Sequence, residues 1–134
     1  MLVVVGIGTD LIEIERIEKA LTKNTQFIRR IYSLAEQEWL GAKPFPAESA
    51  AANFAGKEAV LKVFGTGLRN CQFCEIEILR NEIGKPYVVL YGGAKLLADS
   101  LGIDEVQISL SHTKKLALAY AIGIRSEQQY VVSK

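Results

Sequence analysis

Between Pro46 and Phe64 the chain carries almost no polar stripe, and this sets the reading of everything around it. Placed at about 100° per residue, Ala50, Phe54, Leu61 and Phe64 fall on one face, while Ala52, Gly56, Ala59 and Val63 fall on the opposite one. A helix that is apolar or small all round is buried on most sides. The spacing therefore predicts a central helix from Pro46, a favoured first residue, to Phe64, with Gly65-Thr66-Gly67 as its stop. Its charges then stand out. Lys57 shares the face of Phe54 and Phe64, whereas Glu58 and Lys62, four apart, share a face with Ala51 and Ala55. By themselves Glu58 and Lys62 read as an ordinary ion pair on a solvated stripe. Apolar surroundings shift the balance, because buried charges need partners, metals or ligands.

The flanking patterns supply the other elements. Leu2 to Ile7 is a β-branched run that reads as a buried strand ending in Gly8-Thr9-Asp10; an Asp there commonly caps the next helix. From Ile14 to Lys23 the spacing puts Ile14, Ile17 and Leu21 on one stripe and Arg16, Lys19 and Lys23 on the other, a basic ridge that Phe27, Arg29 and Arg30 extend beyond a break at Asn24. Such a ridge is usually only solvated, yet it also suits an acidic protein partner. Ser33 with Glu36 makes a capping box for a short helix towards Trp39, and Gly41 to Pro46 reads as a loop. Phe73 to Leu79 and Pro86 to Tyr91 form a hairpin turning at Asn81 to Gly84, and Gly92 to Leu101 is a short amphipathic helix. Val106 to Leu110 and Leu116 to Ile124 read as strands around Ser111 to Lys115, where the single histidine, His112, sits beside Lys114 and Lys115 in a segment able to hold a phosphate. Residues 125–134 are expected to form a frayed tail after a domain spanning 1–124.

Composition narrows the class. With 134 residues, 49% of them hydrophobic and 23% charged, the chain suits one globular domain, and no repeat or low-complexity linker divides it. A net charge of +1 gives no global basic field for nucleic acid, and no membrane-spanning run or signal peptide is visible, so a cytoplasmic protein is expected. Cys71 and Cys74 lack a second ligand pair and precede a strand rather than a helix, which favours two reduced structural thiols over zinc or redox chemistry.

Four ordered segments, GIGTDLIEIER from Gly6, FAGKEAVLKVFGTG from Phe54, GKP from Gly84 and SLSHT from Ser109, resemble those of the holo-acyl-carrier-protein synthases, the small single-domain phosphopantetheinyl transferases. The resemblance runs from about Gly6 to about Gly123. It implies an α+β domain with an antiparallel sheet around a long central helix, assembled as a homotrimer with active sites between subunits. It implies transfer of the phosphopantetheine arm of coenzyme A to a serine of apo acyl carrier protein, for fatty acid biosynthesis, with magnesium as cofactor. Asp10 and Glu58 match the metal ligands. Lys62 and the Gly65-Thr66-Gly67 amides would steady phosphates, and Lys57 would neutralise nearby acids beside the bound coenzyme. Gly84, Lys85 and Pro86, with His112 and Thr113, would lie along its nucleotide. Arg16 matches the first motif, so the ridge of Arg16, Lys19, Lys23, Phe27 and Arg30 would face the carrier protein. One departure is Asn53, where many relatives carry arginine, and a contact with a nucleotide phosphate is expected to be missing there. The serine proton could pass to Glu58 or to a water on the metal. A noncatalytic carrier-binding module and a metal-dependent nucleotide-phosphate hydrolase are the alternatives.

Overall fold

The computed structural model describes residues 1–127. Strand β1 (Leu2–Glu13) leads into helices α1 (Ile14–Lys23), α2 (Thr25–Ile31) and α3 (Leu34–Leu40), then the long α4 (Ala47–Phe64). A short 3-10 turn at Phe73–Glu75 precedes β2 (Ile76–Arg80) and β3 (Pro86–Leu90), followed by α5 (Gly92–Ser100), β4 (Glu105–His112) and β5 (Leu116–Ser126). The strands make two antiparallel sheets, β1-β5-β4 and β2-β3. The fold is α+β, with both sheets packed against α4 as its sequence pattern predicts. Along α4, Ala50, Ala51, Ala55, Ala59 and Val60 are wholly enclosed. Small residues let the helix lie close to its neighbours, so dispersion contacts replace the missing side-chain bulk.

Glycine decides how close α4 comes to β1. A Cβ on Gly8 would overlap the carbonyl oxygen of Ala59, and one on Gly6 would sit 2.6 Å from the carbonyl oxygen of Val63. At the far end of α4, Gly65 takes φ 76°, the left-handed cap that ends the helix, and its N–H donates to the Leu61 carbonyl.

Three boundaries differ from the sequence pattern. β1 does not end at Ile7: it continues through Gly8-Thr9-Asp10 to Glu13, because β5 pairs with it along its whole length, Asp10 opposite Ala119 and Glu13 opposite Leu116. Asp10 is therefore a strand residue and caps nothing; Glu13 holds the cap position of α1, without a side-chain bond. β4 extends to His112, so the histidine ends a strand rather than lying in the turn. At the other terminus Arg125 and Ser126, assigned to the tail, belong to β5 and pair with Val3 and Leu2. Glu127 N donates to the Met1 carbonyl at 2.9 Å, and the remainder of the expected frayed tail, residues 128–134, lies outside the described residues.

Candidate active site

The close approach of α4 to β1 brings Asp10, Glu58 and Lys62 together. Lys62 Nζ donates to the Thr9 carbonyl at 2.8 Å and lies 3.4 Å from Asp10 Oδ1. Its partner is thus the strand, and the helix pair with Glu58 does not form. Glu58 has no hydrogen bond or ion pair among the described residues. Burial first, and the Asp10 charge second, push its carboxyl above the usual range, while Lys62 opposes them. A raised carboxylate pKa means that ionisation costs stability as pH rises from the ordinary glutamate value, about 4.3, through the raised one. In the absence of divalent ions, Glu58→Gln should therefore melt higher than the wild type at neutral pH, and the difference should close towards pH 4. A calorimetric pH series with no such divergence would contradict the environment described for Glu58.

A cavity of about 520 Å³ opens beside these groups, walled by Glu58, Leu61, Lys62, Gly65, Gly67, Leu68 and Phe73. Thr66, in the turn that closes α4, keeps a buried hydroxyl with no partner among the described residues. Such an orphan is costly unless a ligand or water satisfies it. A second cavity, about 260 Å³, shares Leu68 and Phe73 and adds Arg29, Arg30, Cys71, Gln72 and Cys74. Both cysteines are free; Cys71 is buried, which pushes its thiol up, and donates to the Gly67 carbonyl at 3.8 Å. They have no third ligand beside them: no group of three or more His, Cys, Asp or Glu that could hold a metal occurs among the described residues.

Lys57 points the other way. Its side chain is 0% exposed and its ammonium donates to Glu36 Oε1 at 2.5 Å, to the Phe73 carbonyl at 3.0 Å and to the Ile76 carbonyl. All three N–H donors are spent, so the expected contact with coenzyme A has none left to make it. The acid it neutralises is Glu36, itself wholly buried, which also accepts from Asn53 Nδ2 at 2.9 Å and Ser33 N at 3.0 Å. Asn53 likewise faces inward, bonding the Ile78 carbonyl and accepting from Arg80. The capping box of Ser33 and Glu36 marked Glu36 as a helix-start residue and gave no hint that it reaches the core.

The remaining expected residues lie apart. Gly84, Lys85 and Pro86 form the β2–β3 turn and its exit. His112 Nε2 lies 3.7 Å from Glu48 Oε2, and Glu48 precedes Glu58 by ten residues, about 15 Å along α4. Thr113 binds its own turn, its Oγ1 accepting from Lys115 N and Leu116 N. One chain does not gather these groups around Glu58. Arg16, Lys19, Lys23 and Arg30 are exposed as predicted, with Lys19 paired to Glu15 at 3.2 Å. Phe27 is only half-exposed: its ring packs against Tyr32 and Phe54, at centroid distances of 6.2 and 6.1 Å. Residues that sequence reasoning missed are Leu61, Leu68 and Phe73, apolar side chains that read only as core until the cavity between them is seen.

The profile of the 4′-phosphopantetheinyl transferase superfamily matches residues 6–121. The chain belongs to that superfamily. Among curated members, the holo-[acyl-carrier-protein] synthase of Alkaliphilus oremlandii is 50% identical over 119 residues, covering 89% of this chain and 98% of its own. That of Caldanaerobacter subterraneus is 46% identical over 121 residues, covering 90% and 95%. Among solved transferases, the acyl carrier protein synthase of Plasmodium yoelii with ADP bound superposes with a TM-score of 0.85 at 37% identity, over 95% of this chain and 99% of that one. A Bacillus anthracis holo-(acyl-carrier-protein) synthase in complex with CoA (3′,5′-ADP) gives 0.75 at 33% identity, over 92% and 98%.

Proposed function

We propose that the protein is a holo-acyl-carrier-protein synthase, moving 4′-phosphopantetheine from coenzyme A to a serine of apo acyl carrier protein in fatty acid biosynthesis and leaving adenosine 3′,5′-bisphosphate. The observation that carries the reading is the meeting of Asp10 with Glu58 and Lys62, the latter two on the wall of one open cavity, in a chain of this family. In the step, the serine oxygen bonds the phosphorus that carries the pantetheine, the bond from that phosphorus to the bridging oxygen breaks, and the bisphosphate leaves with the electron pair. Lys62, tethered to the Thr9 carbonyl, faces the charge that develops on the phosphates. In this reading the partnerless Thr66 hydroxyl and the Gly67 amide would hydrogen-bond a phosphate oxygen, whereas the Gly65 amide is already spent on the Leu61 carbonyl. Glu58, without another partner within the chain, would take the serine proton directly or through a water.

Two facing carboxylates with no thiol or imidazole are a hard oxygen donor set, which suits magnesium shared with substrate phosphates. Asp10 and Glu58 would hold it, and it would neutralise pyrophosphate charge. Among the described residues no helix is long and apolar enough to cross a membrane; a cytoplasmic location is part of the reading. A homotrimer is part of the reading. Leu2, Val4, Ile7, Leu11, Leu116, Tyr120 and Ile122 are exposed on the outer face of the β1-β5-β4 sheet, an apolar area that association would cover. A neighbour docked there would bring its Gly84-Lys85-Pro86 turn, His112 and Thr113 to the nucleotide, which accounts for their distance from Glu58 within one chain.

Release of adenosine 3′,5′-bisphosphate, followed by chromatography, tests the reading against hydrolysis. Release only when apo carrier is present is expected; carrier-independent release would favour the hydrolase. For docking, Arg16→Glu should raise the KM for carrier protein roughly tenfold or more and leave that for coenzyme A unchanged, and the wild-type reaction should weaken with salt. Equal damage to both KM values in steady-state kinetics would remove the ridge from the carrier interface.

A further inference from the structure

Arg80 closes β2, and its guanidinium is held on two sides. Nη2 donates to Asn53 Oδ1 at 2.9 Å, and the guanidinium carbon lies 4.3 Å from the centroid of the Trp39 ring. Asn53 cannot release it by turning over. Its Nδ2 is committed to Glu36 Oε2 and the Ile78 carbonyl, both acceptors, so Oδ1 must face Arg80. The other nitrogens are little used, Nη1 reaching only the Leu79 carbonyl at 3.5 Å. Among the described residues no carboxylate lies within 4.0 Å of the guanidinium. A rigid cation with unspent donors and no direct ion pair thus stands on the wall of a cavity of about 590 Å³, whose other walls are Asn81, Glu82, Ile83 and Tyr87; the Glu36 charge acts on it only from behind Asn53. The floor of that cavity is equally fixed. Asn81 Oδ1 accepts from Ile83 N at 3.0 Å and Lys85 N at 2.9 Å, locking the turn, and the Tyr87 ring is exposed beside it.

A planar, half-buried guanidinium bordering an open cavity suits a phosphate, which it can grip with two parallel N–H bonds, and a neighbouring exposed phenol ring suits a flat base. Within the transferase reading above, on which this rests, the donor has one phosphate outside the reacting pyrophosphate. We propose that Arg80, positioned by Asn53 and Trp39, is a specificity-determining residue that pairs with the 3′-phosphate of coenzyme A.

The test is steady-state transfer with coenzyme A and with dephospho-coenzyme A, for wild type, Arg80→Lys and Arg80→Gln, with a thermal melt of each. The loss of a charge-assisted bond should lower the preference for coenzyme A, as the ratio of the two KM values, roughly ten- to hundredfold in Arg80→Gln, with Arg80→Lys between. An unchanged ratio in a variant that melts like the wild type overturns the assignment, as does an equal rise in both KM values. If Arg80→Gln fails to fold, the ratio for Arg80→Lys decides. If wild-type protein transfers nothing, the transferase reading fails separately. Arg80 is then judged by calorimetric binding of adenosine 3′,5′-bisphosphate against adenosine 5′-monophosphate, where equal loss of both on Arg80→Lys overturns it.

Discussion

Asp10→Ala and Glu58→Ala should each lower phosphopantetheine transfer by about a thousandfold or more, with the fold retained. Each removes one of two neighbouring carboxylates, Glu58 on the cavity wall and Asp10 whose charge acts on it, and losing a single preorganised charge at a reacting phosphate commonly costs two to three orders of magnitude or more. Neither side chain holds the scaffold. Asp10 is fixed by its backbone pairing with Ala119, and Glu58 bonds nothing else, so its replacement also removes a charge that burial disfavours. Melting temperatures should accordingly stay near the wild-type value for Asp10→Ala and match or exceed it for Glu58→Ala. Near-normal magnesium-dependent turnover by a folded Glu58→Ala protein would remove Glu58 from the chemistry.

Lys57→Met should have the opposite profile, a large loss of stability from a residue beside Glu58 in sequence. It strips the counter-ion from a wholly buried Glu36 and leaves the Phe73 and Ile76 carbonyls without their donor. Breaking a buried pair by removing one partner costs about 3–5 kcal/mol, because the surviving charge stays desolvated. Glu36→Gln keeps the shape but leaves one acceptor oxygen for two donors, Asn53 Nδ2 and Ser33 N, and it strands the ammonium, which burial already pushes below its ordinary value against the pull of Glu36. The two losses should not add. In a double-mutant cycle by urea unfolding, Glu36→Gln/Lys57→Met should cost less than the sum of the single changes. Strict additivity would show that the two groups act separately. Part of the Lys57 effect should reach activity, since Phe73 walls the cavity beside Glu58 and its ring stacks on Phe54 at 5.6 Å.

The helical wheel of α4 carried most of what could be read in advance. Assigning Lys57 to the face of Phe54 and Phe64, and Glu58 with Lys62 to another, separated the buried charge from the two that reach the cavity. What the wheel could not supply was the identity of each partner. Lys62 answers to Thr9 and Asp10, more than fifty residues away, through an approach that depends on Gly6 and Gly8. The same glycine, followed by Thr9 and Asp10, made β1 look as though it stopped, because turn-forming residues in isolation cannot announce a partner strand such as β5. Asn53 was legible as a departure from relatives, yet its inward direction and its hold on Arg80 depend on where β2 lies. Side-chain direction at Phe27 was hidden for a like reason: an aromatic beside basic residues suits a docking surface as well as a core until Phe54 is seen against it.

Transfer of the arm to the carrier is read directly by the mass of the carrier protein. Apo acyl carrier protein incubated with coenzyme A, magnesium and this protein should gain the mass of one phosphopantetheine group, on a serine, in a reaction that chelation of magnesium stops. A carrier whose mass is unchanged under those conditions, with folded protein and intact coenzyme A, would contradict the account.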